Sequence, residues 1–475
     1  MNRCAVLGCL LLAACSSAPD ADLAIRDVAV VDVTDGTLHP AQTVLVKGTR
    51  IVAVGPLDAV NVPEAAEILD GSGGYLIPGL WDTHVHSAAA TDWHFPLFLA
   101  YGVTSVRNMH STVEKPLELV LSIKRQLAEG TLLGPRFLAN GGVVDGDPPV
   151  WPGSAVVHNP DEARNAVDRM ADGGADFIKV YDNLSPETYR AILEQAKQRG
   201  IPVDGHLPWA VPLEDAVAGQ RTFEHTSGIS MGCSSEIDAV RAAYMRYLDA
   251  KPEMSFPEGM AAYVEVLRQL NDSRDPTLCQ AAAHQIRTHG VAAVPTIVAI
   301  APIGAEEFLA DSVRMGLLPQ AVREEWQAMA ASGPDPFASI AESGGRTVMA
   351  NVRLLNDTGV VILAGTDVGN PFLVPGLSLQ HELVRLNEAG LSSLQTLQAA
   401  TLLPARVLGM TDSLGTIEPG KLADLVLLDA NPLESVANTQ QIRAVVANGR
   451  LLRSADRARL LTEVANLNRQ DQPRQ

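Results

Sequence analysis

Basic side chains are scarce in this chain: 36 Lys and Arg stand against 55 Asp and Glu, a formal net charge of -19. That deficit argues against a nucleic-acid partner and against docking on an acidic surface by charge. A cationic substrate and a plain solvated acidic surface are both compatible with it. Cysteine is scarce too, five in 475 residues, and Cys4, Cys9 and Cys15 fall in the N-terminal stretch. Repeats and low-complexity tracts are lacking, apart from a polar tail from about Asn466 to Gln475. Beyond the N-terminus no apolar run approaches the roughly 20 residues needed to cross a bilayer. What remains, 47% hydrophobic and 19% charged, is a globular chain large enough for a barrel and a smaller unit.

The N-terminus has the order of an export signal. Met1-Asn2-Arg3 is short and positive, an apolar stretch follows, and Leu12-Ala13-Ala14-Cys15 closes it before Ser16-Ser17. The small residues ahead of Cys15 resemble a bacterial lipoprotein cleavage box. On that reading residues 1–14 are signal peptide, Cys15 is the lipidated first residue, and 15–23 are a linker. The protein is then an exported lipoprotein on the periplasmic face of a membrane, with Ser16 favouring the outer one. Cys4 and Cys9 leave with the signal. Cys233 and Cys279 remain, and in an oxidising compartment such a pair can form a disulfide or stay as two buried thiols.

The chemistry-bearing residues share one context. His84 and His86 end Tyr75-Leu76-Ile77-Pro78-Gly79-Leu80-Trp81-Asp82-Thr83-His84-Val85-His86. On a strand, residues i and i+2 face one way, so both imidazoles can converge while Val85 packs behind. Four further short apolar or β-branched runs end in Lys179, His206, His225 and Asp367. Between two of them, residues 185–199 read as a helix, with Ser185 as N-cap, Pro186 at the first turn and Gly200 as the stop. Alternating strands and helices predict a parallel sheet, and functional groups at successive strand ends predict the mouth of a (β/α)8 barrel.

In that order these residues resemble the amidohydrolase superfamily, and within it the imidazolonepropionase-like and prolidase-like branch. The likeness extends to Ala400-Thr401-Leu402-Leu403-Pro404-Ala405-Arg406 and to Gly415-Thr416-Ile417-Glu418-Pro419-Gly420-Lys421-Leu422-Ala423-Asp424-Leu425-Val426. It implies an α/β fold: a TIM barrel over 77–412, a small discontinuous β-sandwich from 24–76 and 413–453, and a C-terminal tail over 454–475. It also implies two divalent metals, zinc by donor chemistry. His84, His86, Lys179 and Asp367 would hold one, and Lys179, His206 and His225 the other. An ammonium has no lone pair, so Lys179 can ligate only as a carbamate formed with carbon dioxide; otherwise it stays a cation paired with Asp367 or another acid. A water between the metals would be the nucleophile, with Asp367 accepting its proton and passing it to the leaving nitrogen.

Two more residues are candidates for substrate contact. Tyr181 shares a face with Lys179, so its hydroxyl either meets a tetrahedral oxyanion or is satisfied in the core. His110 follows a strand-like run and lies at the barrel mouth or in solvent, whereas His158 belongs to a helix start. Segments 226–290 and 303–358 exceed ordinary loops and are expected to shape the pocket. The expected function is hydrolysis of a C–N amide bond in a small molecule such as a dipeptide or N-acyl amino acid. Cyclic amides, lactones or esters on the same metals are the alternative chemistry, and a non-catalytic binding lipoprotein the alternative class.

Overall fold

A computed structural model describes residues 20–110, 115–302, 304–331 and 338–467. The signal, Cys15 and the last eight residues therefore lie outside the described residues. Among those described, no helix is long and apolar enough to cross a membrane.

Five N-terminal strands, β1 (Leu23–Val31), β2 (Leu38–Lys47), β3 (Arg50–Pro56), β4 (Glu67–Asp70) and β5 (Tyr75–Pro78), lead into β6 (Leu80–Val85) and β7 (Val103–Asn108). Then come β8 (Arg136–Ala139), β9 (Val143–Asp145), β10 (Ala155–Val156), β11 (Ile178–Val180), β12 (Val203–Gly205), β13 (Gln220–Glu224) and β14 (Ala292–Val294). The chain returns through β15 (Leu425–Leu428), β16 (Ile442–Ala447) and β17 (Arg450–Arg453). Both ends of the chain meet in one mixed eight-stranded sheet, β17-β16-β15-β5-β1-β2-β3, with β4 paired to β1. Its inward side chains, among them Leu23, Ile25, Val44, Leu76 and Leu425, form a core of their own.

The middle of the chain forms two parallel sheets, β6-β7-β8 and β10-β9-β11-β12-β13-β14. Hydrogen bonds link them at both margins. Asp176 N donates to Ala139 O across 3.0 Å. At the other margin Leu363 N reaches Ala293 O at 2.9 Å, and Thr83 N reaches Ala364 O at 3.0 Å. This α/β arrangement, with helices between parallel strands, is consistent with a TIM-barrel-like domain. The helix Pro186–Arg199 is one of them, capped as its sequence dictates: the Ser185 side chain accepts from Thr188 N, and Gly200 takes the left-handed conformation.

Some expectations need correcting. The run 360–367 is not a regular strand but touches its neighbours through single bridges, Ala293 to Ile362 and Val85 to Val368. The segment after 453 is not wholly a tail: Ser454–Ala465 is a helix. Leu460 and Val464, four residues apart on one face, are buried, and Arg457 Nε donates to Ala100 O at 2.7 Å. The two long segments are helical where described: 226–290 carries four α-helices, and the described residues of 303–358 carry four more.

In the first of these segments Cys233 and Cys279 are bonded, with Cα atoms 4.2 Å apart and a sequence separation of 46. Replacing both by serine should cost about 2–4 kcal/mol, because the open chain regains loop entropy. Denaturant midpoints of the oxidised protein and the double variant check this, and equal midpoints would contradict it.

Candidate metal centre and active site

Six of the sequence-predicted residues converge at one end of the parallel sheets. His84 is the last residue but one of β6, His86 follows the strand, Lys179 sits in β11, His206 follows β12, and His225 follows β13. Asp367 comes from the bridged segment. Three of the positioning residues hold a left-handed backbone without being glycine: His225 at φ 55°, Thr296 at 48° and Asp367 at 64°. Such angles are unfavourable for a side-chain-bearing residue and cluster where geometry serves function. Gly369, at φ 118°, lets the chain pass His86, where a Cβ would meet that residue's own Cβ at 2.5 Å.

The four imidazoles share one orientation. Each Nδ1 is tied to an oxygen: His84 to Glu224 Oε2 at 2.7 Å, His86 to His110 O at 3.3 Å, His206 to Asp182 Oδ1 at 2.8 Å and His225 to Thr296 Oγ1 at 2.6 Å. Each Nε2 is thereby left for the centre, the arrangement by which outer partners fix metal-ligating histidines. Asp367 Oδ1 lies 3.1 Å from His84 Nε2 and 2.8 Å from His86 Nε2, and Oδ2 lies 4.0 Å from His225 Nε2. Donor atoms of His84, His225 and Asp367 all fall within 4.8 Å of one another. Buried His206 Nε2 and Lys179 Nζ have no hydrogen-bond partner. A divalent cation fits this set: imidazole nitrogens, a carboxylate and orphaned buried polar atoms around one point.

Electrostatics agree with ligation. Burial, above all, pushes His206 and His225 well below the usual imidazole range and lowers His86, so the rings are neutral. Burial raises Asp367, but His84 and His225 outweigh it and hold the carboxylate well below its usual value. Burial brings the Lys179 amine down to about 8, against the pull of Glu224 and Asp367. The ion pair considered for Lys179 is not made, because Nζ has no hydrogen-bonded partner.

Sequence reasoning missed the layer below. Arg107, Asp204, Thr222 and Glu224 are all 0% exposed. Arg107 donates to Thr83 O at 2.6 Å, Asp204 Oδ2 at 2.8 Å, Thr222 Oγ1 at 3.0 Å and Glu224 Oε1 at 3.0 Å. Glu224 in turn holds His84. Burial would raise the Glu224 carboxyl, yet Arg107 and His84 keep it ionised. Glu382 accepts from Ile297 N and Val298 N at 3.0 and 2.9 Å, fixing the turn that carries Thr296. The signal was charged residues inside apolar strand runs, at Arg107 and Asp204.

A cavity of about 470 Å³ opens over the centre and includes Tyr181 and His110 in its lining. Trp151 Nε1 donates to Tyr181 OH at 2.8 Å, and the Tyr181 ring stacks on His206 with centroids 4.0 Å apart. His110 is 3% exposed with both ring nitrogens unpartnered. His158 stands apart, exposed and bonded to Glu162 at a helix start. From the helix Gln320–Ala331, Val322, Glu325 and Trp326 reach the cavity.

A parallel-sheet fold with clustered histidines, an aspartate and a buried lysine at the strand ends defines a class of hydrolases. The chain belongs to the amidohydrolase family, whose model matches residues 75–452. It is similar to the bottromycin amidohydrolase (26% identity, TM-score 0.71, covering 94% of this chain and 91% of that one). It is also similar to a candidate prolidase from Bifidobacterium longum (25% identity, TM-score 0.64, covering 93% and 98%). Over 453 residues it is 25% identical to an adenine deaminase of Moorella thermoacetica, covering 93% of this chain and 60% of that protein's length.

Proposed function

We propose that this protein is a two-metal amidohydrolase that cleaves the C–N amide bond of a small molecule. The observation that carries the reading is the shared arrangement of four imidazoles, each tied outward through Nδ1, around Asp367 and the orphaned Lys179 amine. His84, His86 and Asp367 would hold one divalent ion and His206 and His225 the other, with Lys179, as a carbamate, joining them. When bound, such metals supply an activated water and polarise the scissile carbonyl. Asp367, held as a carboxylate, accepts the proton of the attacking water and returns it to the departing nitrogen. Tyr181, whose oxygen already accepts from Trp151, keeps its own proton to donate to the developing oxyanion. His110 presents a second free polar group beside it.

We read the two linked parallel sheets as one (β/α)8 barrel and the eight-stranded sheet as the flanking sandwich. Export on a lipid at Cys15 is part of the same proposal, supported by the N-terminal pattern and by the Cys233–Cys279 bond, which suits an oxidising compartment.

Carbamate formation supplies a test. Only the neutral Lys179 amine attacks carbon dioxide, and with a pKa of about 8 its neutral fraction falls about tenfold for each pH unit below that. Protein stripped of metal and carbon dioxide, then given zinc at fixed dissolved carbon dioxide, should regain amide hydrolysis faster as pH rises from about 6 to about 8 and level off above about 9. A pH-independent recovery rate would contradict the carbamate, and no hydrolysis of any amide at any pH would contradict the hydrolase.

A further inference from the structure

The charges lining the cavity have one sign once the metal donors are set aside. Asp92 and Glu325 line it, and Lys179 is its sole basic lining residue apart from histidine among the described residues. The internal segments outside the description, 111–114, 303 and 332–337, contain no arginine or lysine in sequence. Asp92 Oδ2 is buried with no hydrogen-bond partner, and burial raises the Asp92 carboxyl above its usual range. His110 is likewise buried, unpartnered and part of the lining. The cavity thus presents acceptor and ring atoms with unmet bonding capacity. Its walls are aromatic: Trp93, Trp151 and Trp326, three of the chain's five tryptophans, line it.

A free carboxylate on the substrate would meet two like charges there and no arginine fork to receive it. A protonated amine would meet a partner for the unpaired Asp92 oxygen, a second carboxylate, and indole faces that attract cations. We propose that the site takes amides that carry a protonated amine on an apolar or aromatic frame and lack a free carboxylate, with Asp92 and Glu325 as the specificity-determining residues. The proposal rests on the hydrolase reading above and narrows it away from unmodified dipeptides and N-acyl amino acids.

Two measurements on the zinc-loaded protein test it. The first compares kcat/KM for the benzoyl amides of cadaverine, hexylamine and ε-aminohexanoate, which differ only in a distal ammonium, methyl or carboxylate. The expected order is ammonium, then methyl, then carboxylate, with about tenfold or more between the ends. The second is calorimetric binding of phenethylamine against neutral phenethyl alcohol, which needs no turnover. The amine should bind about tenfold tighter, and D92N and E325Q should each shrink that margin while leaving the alcohol unchanged. Glu325 is exposed, so E325Q remains informative should D92N fold poorly. Hydrolysis that favours the carboxylate, or amine binding no tighter than the alcohol, would overturn the charge reading and leave the hydrolase standing. Tight, Glu325-dependent amine binding without hydrolysis of any amide would instead overturn the hydrolase and keep the charge reading.

Discussion

Asp367→Asn will lower kcat by about 10²–10⁴-fold while the folded structure persists, the range expected when a positioned proton carrier is removed. The backbone at this residue is held independently of the carboxylate, since Asp367 N donates to His84 O at 2.7 Å. Asparagine has nearly the same shape and tolerates a positive φ, here 64°. What it loses is basicity and one anionic oxygen facing His84 and His86. Turnover measured on protein of verified metal content, beside a thermal melt, separates the effects. A kcat within tenfold of the parent would remove Asp367 from proton transfer.

Arg107→Met will cost about 3–5 kcal/mol of stability, the penalty for leaving buried charges without their partner. The guanidinium is wholly enclosed and joins Asp204 to Glu224, both of them fully buried. Without it Asp204 is left with Arg221 alone, and Glu224 loses the cation that helps keep it ionised against burial. Because Glu224 orients His84, metal affinity should also fall, by about 10–100-fold. Equilibrium denaturation and zinc titration read the two effects separately. A loss below about 1 kcal/mol would mean that the network rearranges or hydrates instead.

The residues that touch the centre were legible in sequence because each ends a short apolar run, and a strand end at a barrel mouth has one role. That context picked out His84, His86, Lys179, His206, His225 and Asp367, and the resemblance to the amidohydrolase order joined them into one set. The supporting residues were not legible. Whether Glu224 meets His84 or Asp182 meets His206 depends on contacts between strands far apart in the chain. Thr296 and Glu382 act on His225 from separate elements, with no local pattern to announce them. Asp367 does end an apolar run, but that run closes the sheets by single bridges, a detail periodicity cannot convey. The helix Ser454–Ala465 was hidden by a polar composition in which only Leu460, Leu461 and Val464 mark the packed face. The tryptophans of the cavity come from three separate segments, so their meeting is a property of the fold alone.

The central claim is a binuclear centre bridged by a modified Lys179, and the most direct test is metal content per chain on protein purified without chelator, paired with a high-resolution density map at Lys179. The account predicts two divalent ions per chain and a carboxyl group on the lysine nitrogen. One ion beside an unmodified lysine would contradict it and move the chemistry toward a mononuclear, deaminase-like site.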